Sequence, residues 1–271
     1  MKKKEQRKWD NFFLNLRKNG LCTFTFDDIR KNFDLSEQNI SRELYRHSIK
    51  KQIIRIRKGF YGILTPETAI DGVLHPDLFI DELMKSLNKP YYVALVSAAV
   101  FHGVAHRQTM EYFVVTQTPA PRNILSKKLK ITFISKKTWE QSTIEQKKIR
   151  KGFLNVSSPE LTAFDLLENI HLFGINCIIS VLDELSKEMR PSRLLKTAKL
   201  IDNKVSTQRL GYILDTVLNE EKLANTLYKV LGKTSFSSVP LSPQKEKEGE
   251  INNKWKIVVN MQIENGFLAH R

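Results

Sequence analysis

The amino-acid sequence predicts an α+β protein, with an N-terminal winged helix-turn-helix followed by a mixed α+β domain that has a small sheet and a helical subdomain. Three observations predict this class. Three short amphipathic helical patterns and a hairpin pattern fill residues 1–65. Strand and helix patterns then share the rest of the 271-residue chain. Of the net charge of +15, nine charges lie in residues 1–65, which hold 16 lysines and arginines against 7 acids.

The first three elements are predicted helices. The first helix has one apolar stripe at spacings i, i+3, i+4 and i+7, formed by Trp9, Phe12, Phe13 and Leu16. Thr25 and Asp28 are spaced like the two members of a capping box, which predicts the start of a second helix. Ser36 is the predicted N-cap of a third helix that runs to about Lys50.

A hairpin is predicted directly after the third helix. Residues 53–57 alternate in polarity, Lys58 and Gly59 offer a two-residue turn, and residues 60–64 return as the second strand. Three helices followed by a hairpin are typical of a winged helix-turn-helix, whose third helix enters the major groove of DNA. Residues 1–65 are therefore predicted to form a DNA-binding domain.

The concentration of positive charge favours DNA binding, because each neutralised phosphate releases condensed counterions. On an ideal helix, Ile40, Leu44 and His47 face inward and the polar side chains face outward. Glutamine and arginine suit the edges of adenine and guanine, whereas the basic hairpin suits phosphates or a minor groove. The predicted DNA-binding residues are Gln38, Asn39, Ser41, Arg42, Tyr45, Arg46, Arg55, Arg57 and Lys58. The alternative is a solvated basic face on a winged domain that binds another protein.

The second domain is predicted over residues 77–271, after a connector at residues 65–76. Asp77 is the expected N-cap of a helix whose apolar pattern continues through Leu87. Residues 91–103 have the pattern of a helix rich in small residues that ends at a glycine. The second domain is therefore expected to begin with two helices.

The remainder of this domain mixes strands and helices. Alternating, β-branched and aromatic stretches predict strands at residues 111–116, 129–135, 153–156 and 255–260. Ser158 and Pro159 mark the start of a helix. Further amphipathic helices are predicted at residues 175–189, 191–201, 207–218 and 222–231. The polar stretch 233–253 is expected to be a mobile loop.

Composition excludes several classes of protein. No apolar run reaches the ~18 residues of a membrane helix, and no secretory signal follows the basic N-terminus. Cys22 and Cys177 lie far apart and match no metal spacing, as is usual in a reducing cytoplasm. We therefore expect a cytoplasmic protein with no membrane partner.

Enzymatic sites are not predicted. Ser97 lies among alanines rather than on a strained elbow, and His102 and His106 lack the glutamate of a zinc-binding helix. A nuclease core would need Asp77 beside a strand that carries Glu145 and Lys147, but the surrounding polar stretch has a helical pattern. A Mg²⁺-dependent nuclease is thus only a remote alternative, and no catalytic, cofactor or metal site is expected.

A second basic surface is predicted between the strands of the second domain. It comprises Arg122, Lys127, Lys128 and Lys130. The functional interpretation is a further contact with nucleic acid, and the alternative is a set of ordinary surface lysines on a hairpin.

Six stretches together resemble the AbiEi family of antitoxins from type IV toxin–antitoxin systems. The stretch IIRIRKGFYGI resembles the family's basic hairpin. YYVALVSAAVFHGV resembles its small-residue helix ending in His-Gly, and EYFVVT resembles the strand after that helix. The later similarities are SSPELTAFDLLE, STQRLGYILDTV and WKIVVN, and the whole resemblance spans roughly residues 5–260. The polar insertion at residues 233–253 departs from the family pattern.

The resemblance implies a winged N-terminal domain and a C-terminal domain with the antitoxin activity. It further implies a repressor of its own operon that binds double-stranded DNA at promoter inverted repeats. The implied functional partner is a co-encoded nucleotidyltransferase-like toxin, opposed without a tight direct complex. The sequence alone also allows a winged-helix regulator whose C-terminal domain senses a ligand or a partner.

Overall fold

The structure, a computed structural model, describes residues 2–104, 111–126, 128–150, 152–232 and 236–263. The α-helices in these residues are α1 (Lys2–Lys18), α2 (Phe26–Asn32), α3 (Glu37–Ile49), α4 (Pro66–Asp71), α5 (Ile80–Ser86), α6 (Leu95–Val100), α7 (Pro159–Glu168), α8 (Ile175–Leu185), α9 (Pro191–Ile201), α10 (Lys204–Tyr212) and α11 (Glu221–Leu231). The strands are β1 (Thr23–Thr25), β2 (Ile53–Arg57), β3 (Phe60–Ile63), β4 (Tyr91–Val93), β5 (Glu111–Gln117), β6 (Ile124–Leu125), β7 (Lys130–Lys136), β8 (Ile144–Ile149), β9 (Gly152–Ser157), β10 (Val239–Pro240), β11 (Glu250–Asn252) and β12 (Ile257–Val259).

The predicted α+β class is confirmed, with three sheets among the described strands. The strand orders are β1-β3-β2, β6-β7-β5-β4-β9-β8 and β10-β12-β11. Strands β5 and β7 pair in parallel over their full length, and β6 pairs with β7 in the antiparallel sense. Strands β4 and β9 are also parallel, with Val93 opposite Val156. None of the helices in the described residues has the length and hydropathy that a membrane span needs.

The chain divides into two compact units. The first comprises Met1–Tyr91, Met110–Lys137 and Gln146–Asn155, and the second comprises Tyr92–Thr109, Thr138–Glu145 and Val156–Arg271. The first unit therefore contains the N-terminal module, by which we mean residues 2–64, together with later segments. The boundary at residues 65–77 inferred from the sequence remains a prediction.

The N-terminal module folds around one apolar cluster. Its buried members are Trp9, Phe13, Phe24, Ile29, Phe33, Ile40, Leu44, Ile53, Tyr61 and Ile63. Both predicted helix starts are present, because Thr25 and Asp28 form a reciprocal capping box and Ser36 caps α3. Strand β1 was not predicted, since three residues are too few to show a period. Its pairing with β3 completes the small sheet beside the helices.

Four predicted elements are wrong in position or type. The stretch 233–253, predicted as one mobile loop, contains β10 and β11, and both strands pair with β12. Asp77 does not begin a helix: it lies in a 3-10 turn capped by His75, and α5 starts only at Ile80. Residues 91–93 form β4 rather than the first turn of a helix, because consecutive apolar residues are equally compatible with a buried strand. The polar residues 144–149 form β8, whose alternation of half-buried and exposed side chains was concealed by its charged composition.

In the second unit, helix α7 supplies buried polar groups that fix its neighbours. Ser158 caps α7 as predicted, with its Oγ accepting from the Leu161 N–H at 3.2 Å. Glu160 is fully buried, and its Oε1 accepts from the Arg190 N–H at 2.9 Å, at the N-cap of α9. This carboxylate therefore lies at the positive end of the α9 dipole, where negative charge is favoured.

The end of the chain packs onto α10 through a glycine. Gly211 lies against the indole of Trp255, so closely that an added Cβ would be 1.9 Å from ring carbon Cζ3. The indole Nε1 donates to Asp215 Oδ2 at 2.8 Å. Gln208 Nε2 donates to the Trp255 carbonyl, and Arg209 Nε donates to the Pro240 carbonyl, both at 3.0 Å. Two distant sequence segments thus form one packed unit.

Gly211→Ala is expected to destabilise the protein. Alanine normally favours a helix over glycine by about 0.5–1 kcal/mol, but here the methyl group overlaps a fixed ring. Overpacking of this kind costs about 1–3 kcal/mol, so the free energy of unfolding in denaturant should fall. The control is the same change in a Trp255→Ala background, where the penalty should disappear. An equal penalty in both backgrounds would show that the indole is not the cause.

Candidate nucleic-acid interface

Helix α3 buries one side and exposes a polar face, with the apolar Ile49 exposed at its end. Ile40, Leu44 and His47 are its buried residues, as the sequence predicted. Six predicted DNA-binding residues are exposed on this helix: Gln38, Asn39, Ser41, Arg42, Tyr45 and Arg46. Tyr45 is 69% exposed, which is unusual for an aromatic side chain that has no external partner. The exposed face of α3 thus combines amide, hydroxyl, guanidinium and aromatic groups.

The aromatic core holds α3 in place through His47. This imidazole lies 5.2 Å from the Trp9 ring and 5.1 Å from the Phe13 ring, measured between centroids. Its Nδ1 donates to Gln52 Oε1 at 2.5 Å, since an amide oxygen can only accept. Nε2 is buried with no hydrogen-bond partner among the described residues. The imidazole therefore connects α3 to the residue that precedes β2.

One of the predicted phosphate contacts is already paired. Arg46 forms an ion pair and hydrogen bond with Glu43, one turn earlier on α3. The Arg46 side chain remains 64% exposed and that of Glu43 is 25% exposed. The acid partly offsets the positive potential of this face, a feature that the local charge count does not show.

The hairpin of β2 and β3 presents a second group of cations. Arg55 and Lys58 are exposed, whereas Arg57 is half-buried and its Nη1 has no partner among the described residues. The register shifts between Arg55 and Arg57, so a bulge separates the two guanidinium groups. Burial raises the pKa of the Tyr61 hydroxyl, and the charge of Arg55 on the opposite strand opposes this shift.

The second basic surface is less available than the sequence suggests. Lys130 Nζ forms an ion pair with Glu111 at 2.6 Å, and Lys128 Nζ donates to the Asp71 carbonyl at 2.7 Å. Arg122 is exposed, and Lys127 lies outside the described residues. Two of the four predicted cations are therefore engaged within the first unit, and this surface remains a prediction.

The residues considered for catalysis have structural contacts. His102 Nε2 donates to the Ser157 carbonyl at 2.7 Å, so this nitrogen is not available as a base, and His106 lies outside the described residues. Asp77 accepts from the Tyr112 hydroxyl at 2.6 Å, and Glu145 pairs with Arg193 at 2.7 Å.

The helical pattern used against the nuclease alternative was wrong, because Glu145 lies on β8. The described residues contain no group of three histidine, cysteine, aspartate or glutamate side chains placed to hold a metal ion. The Asp77 and Glu145 carboxylates have the partners described above.

Comparisons with known proteins found a similar fold and a family match for the second part of the chain. Among solved structures, the chain is similar to the RV2827C protein from Mycobacterium tuberculosis, at 17% identity and a TM-score of 0.65. The similarity covers 93% of this chain and 91% of that one, and at this identity it concerns the fold alone. The comparison with curated proteins gave no match.

Residues 92–216 match the family described as the AbiEi antitoxin C-terminal domain. The resemblance inferred from the sequence is therefore confirmed for this part of the chain, which matches the model of an antitoxin domain. The matched range includes the Ser/Pro-started helix α7 and the Arg-Leu-Gly-Tyr segment of α10, and it begins after the N-terminal module.

Proposed function

We propose that this protein is a type IV antitoxin that also represses its own operon by binding promoter DNA. The single observation that carries the DNA-binding part is the exposed polar and basic face of α3, backed by buried Ile40, Leu44 and His47. The element order α1-β1-α2-α3-β2-β3 supports a winged helix-turn-helix. The AbiEi domain supports the antitoxin part.

In this proposal α3 enters the major groove, where Gln38, Ser41 and Arg42 contact base edges. Arg55 and Lys58 on the hairpin contact phosphates or the adjacent minor groove. Asn39 and Tyr45 border the same face of α3. Two copies would occupy the half-sites of an inverted repeat, and the partner toxin would be nucleotidyltransferase-like. We place this non-enzymatic function in the cytoplasm.

Arg42→Ala should weaken binding of promoter DNA by about 1–3 kcal/mol and relax the preference for one base pair. Arg42 is exposed on α3, and one bidentate contact to guanine is worth that much discrimination. Fluorescence anisotropy with the promoter and with single-base variants measures both effects. The matched control is Arg190→Ala, which removes an equal charge from an exposed site at the start of α9. If both variants bound alike, α3 would not be the reading helix.

Glu43→Gln should strengthen binding to promoter and unrelated DNA alike. The substitution keeps the side-chain shape, removes one negative charge and releases Arg46 from its ion pair. The slope of log affinity against log salt should steepen by about 0.9 if one more phosphate contact forms. Glu221→Gln, on α11, is the charge-matched control. Unchanged or weaker binding by Glu43→Gln would contradict the role given to Arg46.

Substitutions on α3 should remove the repressor activity of the intact chain without removing its antitoxin activity. Arg42→Ala combined with Arg46→Ala should abolish repression of a promoter reporter but still rescue cells that express the co-encoded toxin. The reason is that the matched antitoxin domain begins after the N-terminal module. Loss of both activities, with normal protein levels, would show that DNA contact is needed for neutralisation. Repression without any rescue by the wild type would favour a ligand- or partner-sensing regulator.

A further inference from the structure

Half of the residues that line a cleft on the N-terminal module are asparagines. The cleft has a volume of about 380 Å³ and lies between α1 and the end of α2. Its amides are Asn11, Asn15, Asn19 and Asn32. A volume of this size falls in the range of ordinary small-molecule sites, about 300–1,000 Å³. The cleft belongs to none of the surfaces assigned above to DNA.

The asparagines of α1 have no evident structural purpose. Asn11 and Asn15 lie four residues apart on α1, and Asn19 directly follows its end at the same interval. Their side chains make no hydrogen bond within the described part of the chain, and all three are exposed. Asparagine also disfavours helix interiors by roughly half a kcal/mol relative to alanine. Helix stability alone does not account for Asn11 and Asn15 on α1.

The base of the cleft is aromatic and rigid. Phe33 stacks on Trp9 with centroids 4.2 Å apart and is contacted edge-on by Phe12 at 5.6 Å. Phe12 is only partly buried, so its ring borders the open side. A planar ligand placed in the cleft would thus meet an aromatic surface that is held by the module's own core.

The charges of the side chains that line the cleft indicate which class of ligand it binds. Lys8 is the one charged side chain among the residues that line the cleft, and no carboxylate is among them. On the opposite side, Asn32 Nδ2 donates to the Asp28 carbonyl at 2.8 Å, which leaves its Oδ1 as an acceptor. A carboxamide matches the adjacent donor and acceptor of a purine edge, as Asn does for adenine N6 and N7.

We propose that this cleft binds a purine mononucleotide. The base packs on the ring of Phe12 and exchanges hydrogen bonds with Asn15 and its neighbours, and the phosphate lies at Lys8. The occupant is either a free mononucleotide or an unpaired purine of a nucleic-acid strand, and both present the same chemistry. Because residues of α1 and the end of α2 line the cleft, a bound ligand stabilises the core that supports α3. Binding of the ligand is therefore linked to the affinity for DNA.

The test is isothermal titration of the full chain with AMP, GMP, adenosine, inorganic phosphate and a short adenine oligonucleotide. AMP or GMP should bind, adenosine should bind more weakly, and phosphate alone should not bind measurably. AMP binding without oligonucleotide binding identifies a free nucleotide, whereas tighter oligonucleotide binding identifies a strand. The absence of a binding heat with every purine ligand at millimolar concentration would overturn the proposal.

Two variants locate the site. Asn15→Ala should weaken the binding of AMP about fivefold, the loss expected for one or two hydrogen bonds. Lys8→Ala should weaken the binding of AMP and change that of adenosine little. Lys18→Ala, on the same helix but outside the cleft, is the charge-matched control. Since alanine favours helices, the variants should remain folded, which circular dichroism checks. AMP binding unchanged in both cleft variants would overturn the site, while promoter binding by the same proteins tests the DNA proposal separately.

Discussion

The placement of α3 depends on the aromatic cluster beneath it. Trp9 stacks on Phe33 at 4.2 Å and meets His47 at 5.2 Å, so one indole contacts the end of α2 and the inner face of α3. Phe24 of β1 stacks on Tyr61 of β3 at 5.4 Å and joins the sheet to the same cluster. Such ring pairs contribute about 0.5–1.5 kcal/mol each beyond their buried area. Because the rings come from α1, β1, α3, β3 and the residue that ends α2, the polar face of α3 is held in a fixed orientation relative to the hairpin.

In the second unit, polar side chains of α10 connect to the last segments of the chain. Gln208 and Arg209 donate to backbone carbonyl groups of those segments. Burial lowers the pKa of Arg209, since the charged form loses hydration. The AbiEi match ends at residue 216, yet Trp255 packs against Gly211 inside it. The terminal strand is thus part of the same packed unit as the matched domain, despite the polar stretch between them.

Sequence reasoning worked where several local signals agreed. Helix α3 had an N-cap at Ser36, an apolar period and a following turn, and its buried residues were all identified. It failed where composition concealed the period, as in charged β8, or where apolar residues were consecutive, as in β4. It also could not find β1, which exists because β3 offers it a partner. In the candidate interface, exposure of the α3 side chains was predictable, but the Arg46–Glu43 pair required coordinates. The contacts with DNA themselves remain predictions.

The local charges show why a net charge is a poor measure of a binding surface. Residues 1–65 carry a net +9, but a phosphate responds to the groups within about 10 Å at moderate ionic strength, the screening length. Within that distance, Glu43 opposes Arg46 on α3. Near the start of α3, Arg30 pairs with both Asp27 and Glu37. Among the described residues, no ion pair involves Arg55, Arg57 or Lys58 of the hairpin, or Arg42 on α3. In the proposed DNA complex, the hairpin cations should therefore supply electrostatic attraction, and α3 should contribute discrimination between bases. This division follows from the pairing of charges, not from their number.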